Sequence, residues 1–176
     1  MHLAPERGVK DVYVSLEAEL PGVRAPEAAV REAVTNLIDN ALKYADGEGE
    51  EEDGGEAAEA AVAIGCDWDE ENGMIVVEVW NSSPAIPAEE LIGVREWGAR
   101  GKAAETSGRD GSGYGLPIAE QLVELLGGKL LLENAKMPEW AWERQQHEAG
   151  SSSEHGDDRP GGVSARILLP RAARVR

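Results

Sequence analysis

EAAVREAVTNLIDNALKY, residues Glu27–Tyr44, separates into an apolar and a polar face when it is drawn as a helix. The apolar residues recur with the spacing of a single helix face. They are Val30, Val34, Leu37, Ile38 and Ala41. The opposite side carries Glu32, Asn36, Asn40, Lys43 and Tyr44. The sequence therefore predicts an amphipathic helix, which follows Pro26 at a point where helices commonly begin.

The polar face of this helix is unusual in its composition. An ordinary solvent-exposed face would be mostly Lys, Glu and Arg, because asparagine is a mediocre helix former. Here Asn36 and Asn40 lie one turn apart, and Lys43 and Tyr44 follow them. Amide oxygens suit Mg²⁺, a lysine suits phosphate, and a tyrosine ring can lie on a purine. Polar work at a binding site is one interpretation, and a solvated face with chance asparagines is the other.

A glycine-rich segment, GSGYGLP, covers residues 111–117 and opens a second predicted helix. Its glycines would let backbone N–H groups approach an anion, and the helix N-terminus adds positive potential. The segment is not a Rossmann fingerprint, because its spacing is GxGxG and no strand directly precedes it. The chain also has no GxxxxGK[ST] stretch, so a P-loop is excluded. On its own, the segment fits a glycine-rich hinge equally well.

The remaining patterns predict an α/β sandwich. Strands are expected around residues 10–17, on both sides of the Asn72–Gly73 turn, and at residues 128–134 and 163–170. Shorter helices are expected within residues 88–96 and 117–126. We therefore expect a two-layer sandwich, with a mixed, largely antiparallel sheet covered on one face by about three helices. The 176 residues are expected to form a single domain.

Charge and composition exclude several classes of protein. The net charge of −17 argues against a surface that binds the phosphate backbone of nucleic acid. No apolar run approaches the roughly 18 residues that a membrane span needs. Residues 46–59 carry eight acids and no base, without the spacing of an EF-hand, and predict a solvated insertion. A second polar insertion is expected at about residues 135–162, with a short helix near residues 139–147. The lone cysteine, Cys66, suggests a reducing compartment.

Three segments, in this order, carry a resemblance to a known family. NLIDNALKYA (36–45) is similar to an N-box, VEVWNSSPAIPAEEL (77–91) to a first glycine box, and GSGYGLPIAEQLVELLGG (111–128) to a second. REWGARGKA (95–103) resembles the aromatic box and basic lid between the glycine boxes. Together they resemble the ATP-binding catalytic domain of histidine kinases, within the gyrase, Hsp90, histidine-kinase and MutL superfamily. The resemblance covers about residues 6–134 and 162–170 and implies a Bergerat-type ATP-binding fold.

The resemblance implies that the polar helix face binds Mg²⁺ and ATP. Asn36 would be the principal Mg²⁺ ligand. Asn40 would support the phosphates or the water shell of the metal, and Lys43 would pair with phosphate. Tyr44 would pack near adenine, and Asn81 would accept a hydrogen bond from the adenine amino group. The other implied nucleotide contacts are Ile86, Arg100, Lys102, Gly111, Gly113, Tyr114, Gly115 and Leu116.

Two implied roles concern the chemical step. Arg100 and Lys102, in the implied lid, would neutralise charge on the transferring phosphoryl group. Glu32 lies one turn before Asn36, where ATPases of the superfamily keep the general base for water. The alternative for Glu32 is an ordinary exposed acid that favours the helix dipole.

The sequence departs from the family pattern at the first glycine box. Asn81, Ser83 and Ala85 stand where the family has an aspartate and two glycines. Asn81 still accepts a hydrogen bond, without the charge assistance of a carboxylate. The additional side chains stiffen the turn and add Cβ atoms near the nucleotide.

The expected function is transfer of the γ-phosphoryl group from Mg·ATP to a histidine on a separate dimerisation hairpin, in cis or in trans. Only His2 precedes the N-box, so the hairpin is not in this stretch of sequence. A response regulator is the expected further partner, and the bacterial cytoplasm or plastid stroma is the expected location. The alternatives are a regulatory nucleotide-binding pseudokinase, and a stand-alone ATPase or anti-sigma-type serine kinase that uses Glu32 as base.

Overall fold

Five strands and four helices make up the structure, a computed structural model that describes residues 11–46, 60–99, 112–150 and 158–172. The strands are β1 (Asp11–Leu16), β2 (Ala61–Asp69), β3 (Met74–Ser82), β4 (Lys129–Lys136) and β5 (Gly161–Pro170). The helices are α1 (Glu27–Tyr44), α2 (Glu90–Gly93), α3 (Gly115–Leu125) and α4 (Glu139–Ala149).

All five strands join one sheet in the order β1-β2-β3-β5-β4. Only the β1–β2 pair is parallel, and the other three pairs are antiparallel. The β2–β3 hairpin turns at residues 70–73, where Gly73 has a φ of 64° that glycine adopts without steric cost. The predicted mixed, largely antiparallel sheet and the predicted hairpin are therefore confirmed.

Helices α1 and α3 cover one face of the sheet and enclose the main core. The predicted apolar face of α1 turns inward, and its most buried side chains are Ala33, Leu37 and Ala41. Residues of β2, β3, β4 and β5 meet it from the sheet, and Ala119 and Val123 of α3 close the cluster. Alternate strand residues point to opposite faces, so this arrangement fixes which strand residues face the helices. Asn81 shares that face with the buried core residue Val79.

The opposite face is also partly covered, which departs from the expected single layer of helices. A second cluster packs there, made of Tyr13, Ala61, Ala63, Trp80, Met137 and Ala141. The cover is α4, from the polar insertion that the sequence placed on the surface. The ring of Trp140 lies 3.5 Å from the point where a Cβ on Gly65 would stand, so the absence of a side chain at Gly65 makes room for it.

Several predicted boundaries differ slightly in the structure. The helix of residues 88–96 is limited to Glu90–Gly93, and α3 begins at Gly115 rather than at Pro117. The helix predicted at residues 139–147 extends to Ala149. Most of the acidic insertion, residues 47–59, lies outside the described residues, as do residues 151–157 of the second insertion.

Candidate functional site

The two asparagines of α1 lie against the first residue of α3. A Cβ placed on Gly115 would stand 3.5 Å from Asn36 Oδ1 and 3.5 Å from Asn40 Oδ1. The lack of a side chain at Gly115 therefore leaves a small space between both amides and the start of α3. The structure thus places the two asparagines of α1 beside Gly115 of the glycine-rich segment.

The N-terminus of α3 is not capped by a side chain. Tyr114 occupies the N-cap position and makes no capping hydrogen bond. The backbone N–H groups of Gly115 and Leu116 lie in the first turn, where a helix supplies no acceptor, and Pro117 has no N–H group. Neither N–H group has a hydrogen-bond partner among the described residues, so the start of this eleven-residue helix, with its positive dipole end, suits an anionic group such as a phosphate.

Within the described part of the chain, the Asn36 side chain leaves a hydrogen-bond donor unpaired beside the start of α3. Its Nδ2 atom is buried and has no hydrogen-bond partner among the described residues. Buried polar groups are almost always paired, so an orphaned amide beside an uncapped helix favours a ligand that brings oxygen atoms. The amide oxygens of Asn36 and Asn40 also suit a hard cation. The residues present therefore fit a nucleotide phosphate and an accompanying Mg²⁺ ion.

Asn81 lies at the end of β3, on the helix-covered face of the sheet. It is 7% exposed, and its Nδ2 donates a 3.3 Å hydrogen bond to the carbonyl of Ser82. The same carbonyl accepts a 2.8 Å hydrogen bond from the backbone N–H of Asp46, just beyond the end of α1. The C-terminal end of α1 is thus tied to the end of β3, and Asn81 lies near this junction.

Ser82 is a site-shaping residue that the sequence did not single out. Its Oγ accepts a 2.9 Å hydrogen bond from Ala61 N and donates a 3.3 Å bond to Ala61 O. The hydroxyl locks the end of β3 to the start of β2, directly beside Asn81. The signal was a serine following a strand residue, which is too common to be informative alone.

Lys43 and Tyr44 lie in the last turn of α1, both half-buried. Lys43 Nζ stands 4.7 Å from the centroid of the Tyr44 ring, within the range of a cation–π contact. Tyr44 is eight residues beyond Asn36, a distance of about 12 Å along the helix axis. This spacing separates the two ends of the site by roughly the length of a nucleotide.

The turn after β3 is fixed by Asn134, which no pattern in the sequence singles out. Its side chain accepts a 2.8 Å hydrogen bond from Ile86 N and donates a 2.8 Å bond to Ile86 O. One amide thus satisfies both backbone groups of Ile86 and attaches the altered first glycine box to the end of β4. The two bonds join residues 48 apart in the sequence, which no local pattern reveals.

The segment before α3 is closed by a backbone bridge and an aromatic contact. Gly98 N donates to Gly113 O at 3.2 Å, and the rings of Trp97 and Tyr114 lie 6.0 Å apart at 45°. Gly113 has a φ of 71°, and a Cβ there would stand 2.7 Å from Ala99 O. Gly113 is therefore required as glycine for both conformation and space.

The remaining predicted residues are placed only in part. Arg100, Lys102 and Gly111 lie outside the described residues. Glu32 is exposed on α1, and Leu116 is half-buried against the core. No group of three or more His, Cys, Asp or Glu side chains within the described ranges could hold a metal ion.

Comparison with known proteins identifies the family of this chain. The family of histidine kinase-, DNA gyrase B- and HSP90-like ATPases matches residues 25–173. Sensor histidine kinase Hik2 of Thermosynechococcus vestitus is 32% identical over 118 residues, which cover 67% of this chain and 27% of Hik2. Adaptive-response sensory kinase SasA of Synechococcus sp. (strain CC9902) is 31% identical over 121 residues, covering 68% of this chain and 28% of SasA. The chain thus spans less than a third of these relatives' length.

Solved structures share the fold at lower sequence identity. The mycobacterial sensor histidine kinase MprB superposes with a TM-score of 0.63 at 22% identity, covering 94% of this chain and 86% of that one. The catalytic domain of histidine kinase ThkA, in a nucleotide-free form, gives a TM-score of 0.58 at 21% identity, with coverage of 92% and 78%. The described helices include none that is both long enough and apolar enough to cross a membrane.

Proposed function

Because this chain belongs to the family of histidine kinase-, DNA gyrase B- and HSP90-like ATPases, as an ATP-binding catalytic domain of the histidine-kinase type, we propose that it binds Mg·ATP between α1 and α3. In this proposal the γ-phosphoryl group passes to a histidine side chain on a separate helical hairpin. The observation that carries it is the meeting of Asn36 and Asn40 with the uncapped start of α3 at Gly115.

The phosphates would lie at the Asn36 end of the site. The N–H groups of Gly115 and Leu116 would donate to phosphate oxygens, and the dipole of α3 would add positive potential there. The orphaned Asn36 amide would gain a partner from the same ligand. Mg²⁺, held by Asn36 together with the phosphates, would supply charge neutralisation for the transfer. The sequence offers Arg100 and Lys102 as further cations for the phosphates.

The base would lie at the Tyr44 end of the site. Asn81 is placed on the helix-covered face at the end of β3, and Tyr44 ends α1, which is tied to β3 through the Asp46–Ser82 bond. An amide oxygen at Asn81 would accept a hydrogen bond from the adenine amino group. The half-buried Tyr44 ring would lie against the purine face. Ile86, fixed by Asn134, would line the same end.

The partner surface would adjoin the phosphate end. Trp97 and Tyr114 are 55% and 48% exposed and contact each other beside the start of α3. Exposed aromatic pairs of this kind are typical of protein contact sites. We assign this surface to the hairpin that carries the phosphoacceptor histidine, with a response regulator acting downstream, in the bacterial cytoplasm or plastid stroma.

A regulatory nucleotide-binding module is the second candidate, and one observation favours it. The first glycine box carries Asn81, Ser83 and Ala85 in place of the family aspartate and glycines. Such a module would bind Mg·ATP and transfer nothing. A third candidate, a hydrolase that uses Glu32 as base, predicts that Glu32→Gln abolishes ATP hydrolysis while ATP affinity stays unchanged.

Isothermal titration with a non-hydrolysable ATP analogue tests the proposal. We expect saturable binding that depends on Mg²⁺, and Asn36→Ala should remove that dependence. Asp39→Ala, an exposed substitution on the same helix, is the matched control and should bind as the wild type does. Mg²⁺-dependent binding that survives in Asn36→Ala would remove Asn36 as the metal ligand. Addition of a histidine-bearing hairpin from a related kinase then separates a kinase from a regulatory module by whether the hairpin becomes phosphorylated.

A further inference from the structure

Arg95 joins three separate parts of the structure. It lies two residues beyond the end of α2. Its Nη2 donates a 2.7 Å hydrogen bond to Leu130 O on β4, and its Nη1 stands 3.3 Å from Glu120 Oε1 on α3. The Arg95 and Glu120 side chains are only 29% and 24% exposed, so solvent screens this ion pair less than a surface pair.

The first contact of Arg95 pairs a backbone carbonyl of β4, and the second connects Arg95 to α3. Leu130 lies on β4, an edge strand of the sheet, and edge strands leave backbone carbonyls without a partner strand. Arg95 supplies a donor for one of these carbonyls. Glu120 lies on α3, whose first residue is Gly115, so the ion pair attaches the same arginine to the helix that opens the candidate phosphate site.

The segment that contains Arg95 has a second attachment, just before the start of α3. Three residues further on, Gly98 N donates to Gly113 O at 3.2 Å. The segment therefore contacts the α3 region at Glu120, within the helix, and at Gly113, just before the helix begins. The residues between these two attachments include Tyr114, Gly115 and Leu116, which open the helix.

We propose that Arg95 is a positioning residue for the nucleotide site. It fixes the segment of residues 94–98 between β4 and α3, and through the Gly98–Gly113 bridge it holds the start of α3 against Asn36 and Asn40. This role rests on the proposed function, in which the phosphates bind at that helix start. Arg95 itself acts through the helix and needs no contact with the nucleotide.

A competing explanation is simple attraction between a cation and ATP, and it predicts a different pattern of mutants. Arg95→Met removes a positive charge, so either explanation predicts weaker ATP binding. Glu120→Met removes a negative charge, so charge attraction alone predicts tighter binding. The positioning role predicts weaker binding, because Glu120→Met breaks the same Arg95–Glu120 ion pair that Arg95→Met breaks.

The experiment measures affinity for Mg²⁺ and a non-hydrolysable ATP analogue in Arg95→Met, Glu120→Met and the double variant. We expect each single variant to lose about tenfold in affinity, equivalent to about 1.4 kcal/mol. The affinity of the double variant should be little lower than that of the single variant that binds more weakly, because both substitutions break the same interaction. Arg95→Lys keeps the charge but cannot reach two partners with a planar fork, and it should fall between the wild type and Arg95→Met.

Arg166→Met is the matched control. Arg166 is also a partly buried arginine with an ion pair, to Glu133, and it lies on the other side of the sheet from α1 and α3. Amide hydrogen exchange without nucleotide gives a readout independent of binding. Arg95→Met should speed exchange at Gly98 relative to the rest of the protein, and Arg166→Met should leave it unchanged. Thermal unfolding of all variants separates these local effects from a general loss of stability.

The outcomes are distinct from those that test the proposed function. A wild-type protein that does not bind the analogue contradicts the proposed function, and the exchange rate at Gly98 still decides whether Arg95 holds the segment. Tighter binding by Glu120→Met, or equal exchange and equal affinity in Arg95→Met and Arg166→Met, would overturn the positioning role.

Discussion

Gly115→Ala separates the stability of the protein from its ability to bind a nucleotide. Gly115 is the first residue of α3 and does not have a positive φ. A Cβ there would meet Asn36 Oδ1, Asn40 Oδ1 and Asn40 Nδ2 at 3.5, 3.5 and 3.6 Å, which are ordinary van der Waals distances. The fold therefore accommodates the methyl group without displacement.

Stability should rise slightly in this variant. Replacing glycine by alanine at a compatible position reduces the conformational entropy of the unfolded chain and stabilises by about 0.4–1 kcal/mol. For a chain of this size, such a gain corresponds to a rise in Tm of roughly 1–4 °C. Differential scanning calorimetry without nucleotide measures it.

Nucleotide affinity should fall in the same variant. The methyl group would fill the space between the two amides and the start of α3, where we place the phosphates. A hydrogen bond to a charged group contributes about 1.5–3 kcal/mol, so losing one weakens binding roughly 10- to 150-fold. Isothermal titration with the ATP analogue and Mg²⁺ measures this loss.

The control for this variant is Gly113→Ala. Gly113 has a φ of 71°, and a Cβ there would stand 2.7 Å from backbone atoms, so this variant should lose both stability and affinity. Gly115→Ala that binds the analogue as tightly as the wild type, with its Tm raised or unchanged, would show that the phosphates do not occupy this corner.

Three further predictions concern other parts of the protein. Asn81→Asp should tighten ATP binding roughly fivefold, because a carboxylate is the stronger acceptor and the lost bond to Ser82 is long at 3.3 Å; titration showing equal or weaker binding in a folded variant would argue that Asn81 does not face the base. Leu37→Ala should cost about 2–5 kcal/mol in urea unfolding because Leu37 is 2% exposed, whereas the exposed Ile92→Ala should stay within about 0.5 kcal/mol; similar losses in both would contradict the described core. Burial raises the pKa of the Cys66 thiol, so the fraction of reactive thiolate at neutral pH is lowered. The midpoint of its alkylation rate against pH should lie above that of the unfolded chain, and a midpoint at or below the unfolded value would be inconsistent with this environment.

Local patterns in the sequence were sufficient to predict the helices and strands that carry the site. The bounds of α1 follow from its apolar spacing, and the hairpin follows from the Asn72–Gly73 turn. The predicted start of α3, Pro117, lies two residues beyond the observed start at Gly115. First-turn residues make few intrahelical bonds, so glycine is tolerated there.

Features that depend on distant contacts were not predicted. Arg95 binds partners 25 and 35 residues away, and no periodicity indicates which of several arginines will do so. The packing of α4 on the sheet was missed because the surrounding residues are polar. Two tryptophans, Trp140 and Trp142, were the available signal, since large aromatic side chains in a polar segment usually find something to cover.

The insertion that contains α4 has a consequence for anyone who trims this protein to a minimal version. Its two ends meet, since Met137 N donates to Pro160 O at 2.9 Å and Arg159 Nη1 donates to Met137 O at 3.2 Å. On a topology diagram, the stretch between them looks as if it can be excised and replaced by a short linker. Excision would leave the fully buried Trp80 and the nearly buried Tyr13 facing water. A shortened version would therefore expose an aggregation-prone aromatic surface. It would need polar residues in place of these aromatic side chains to remain soluble.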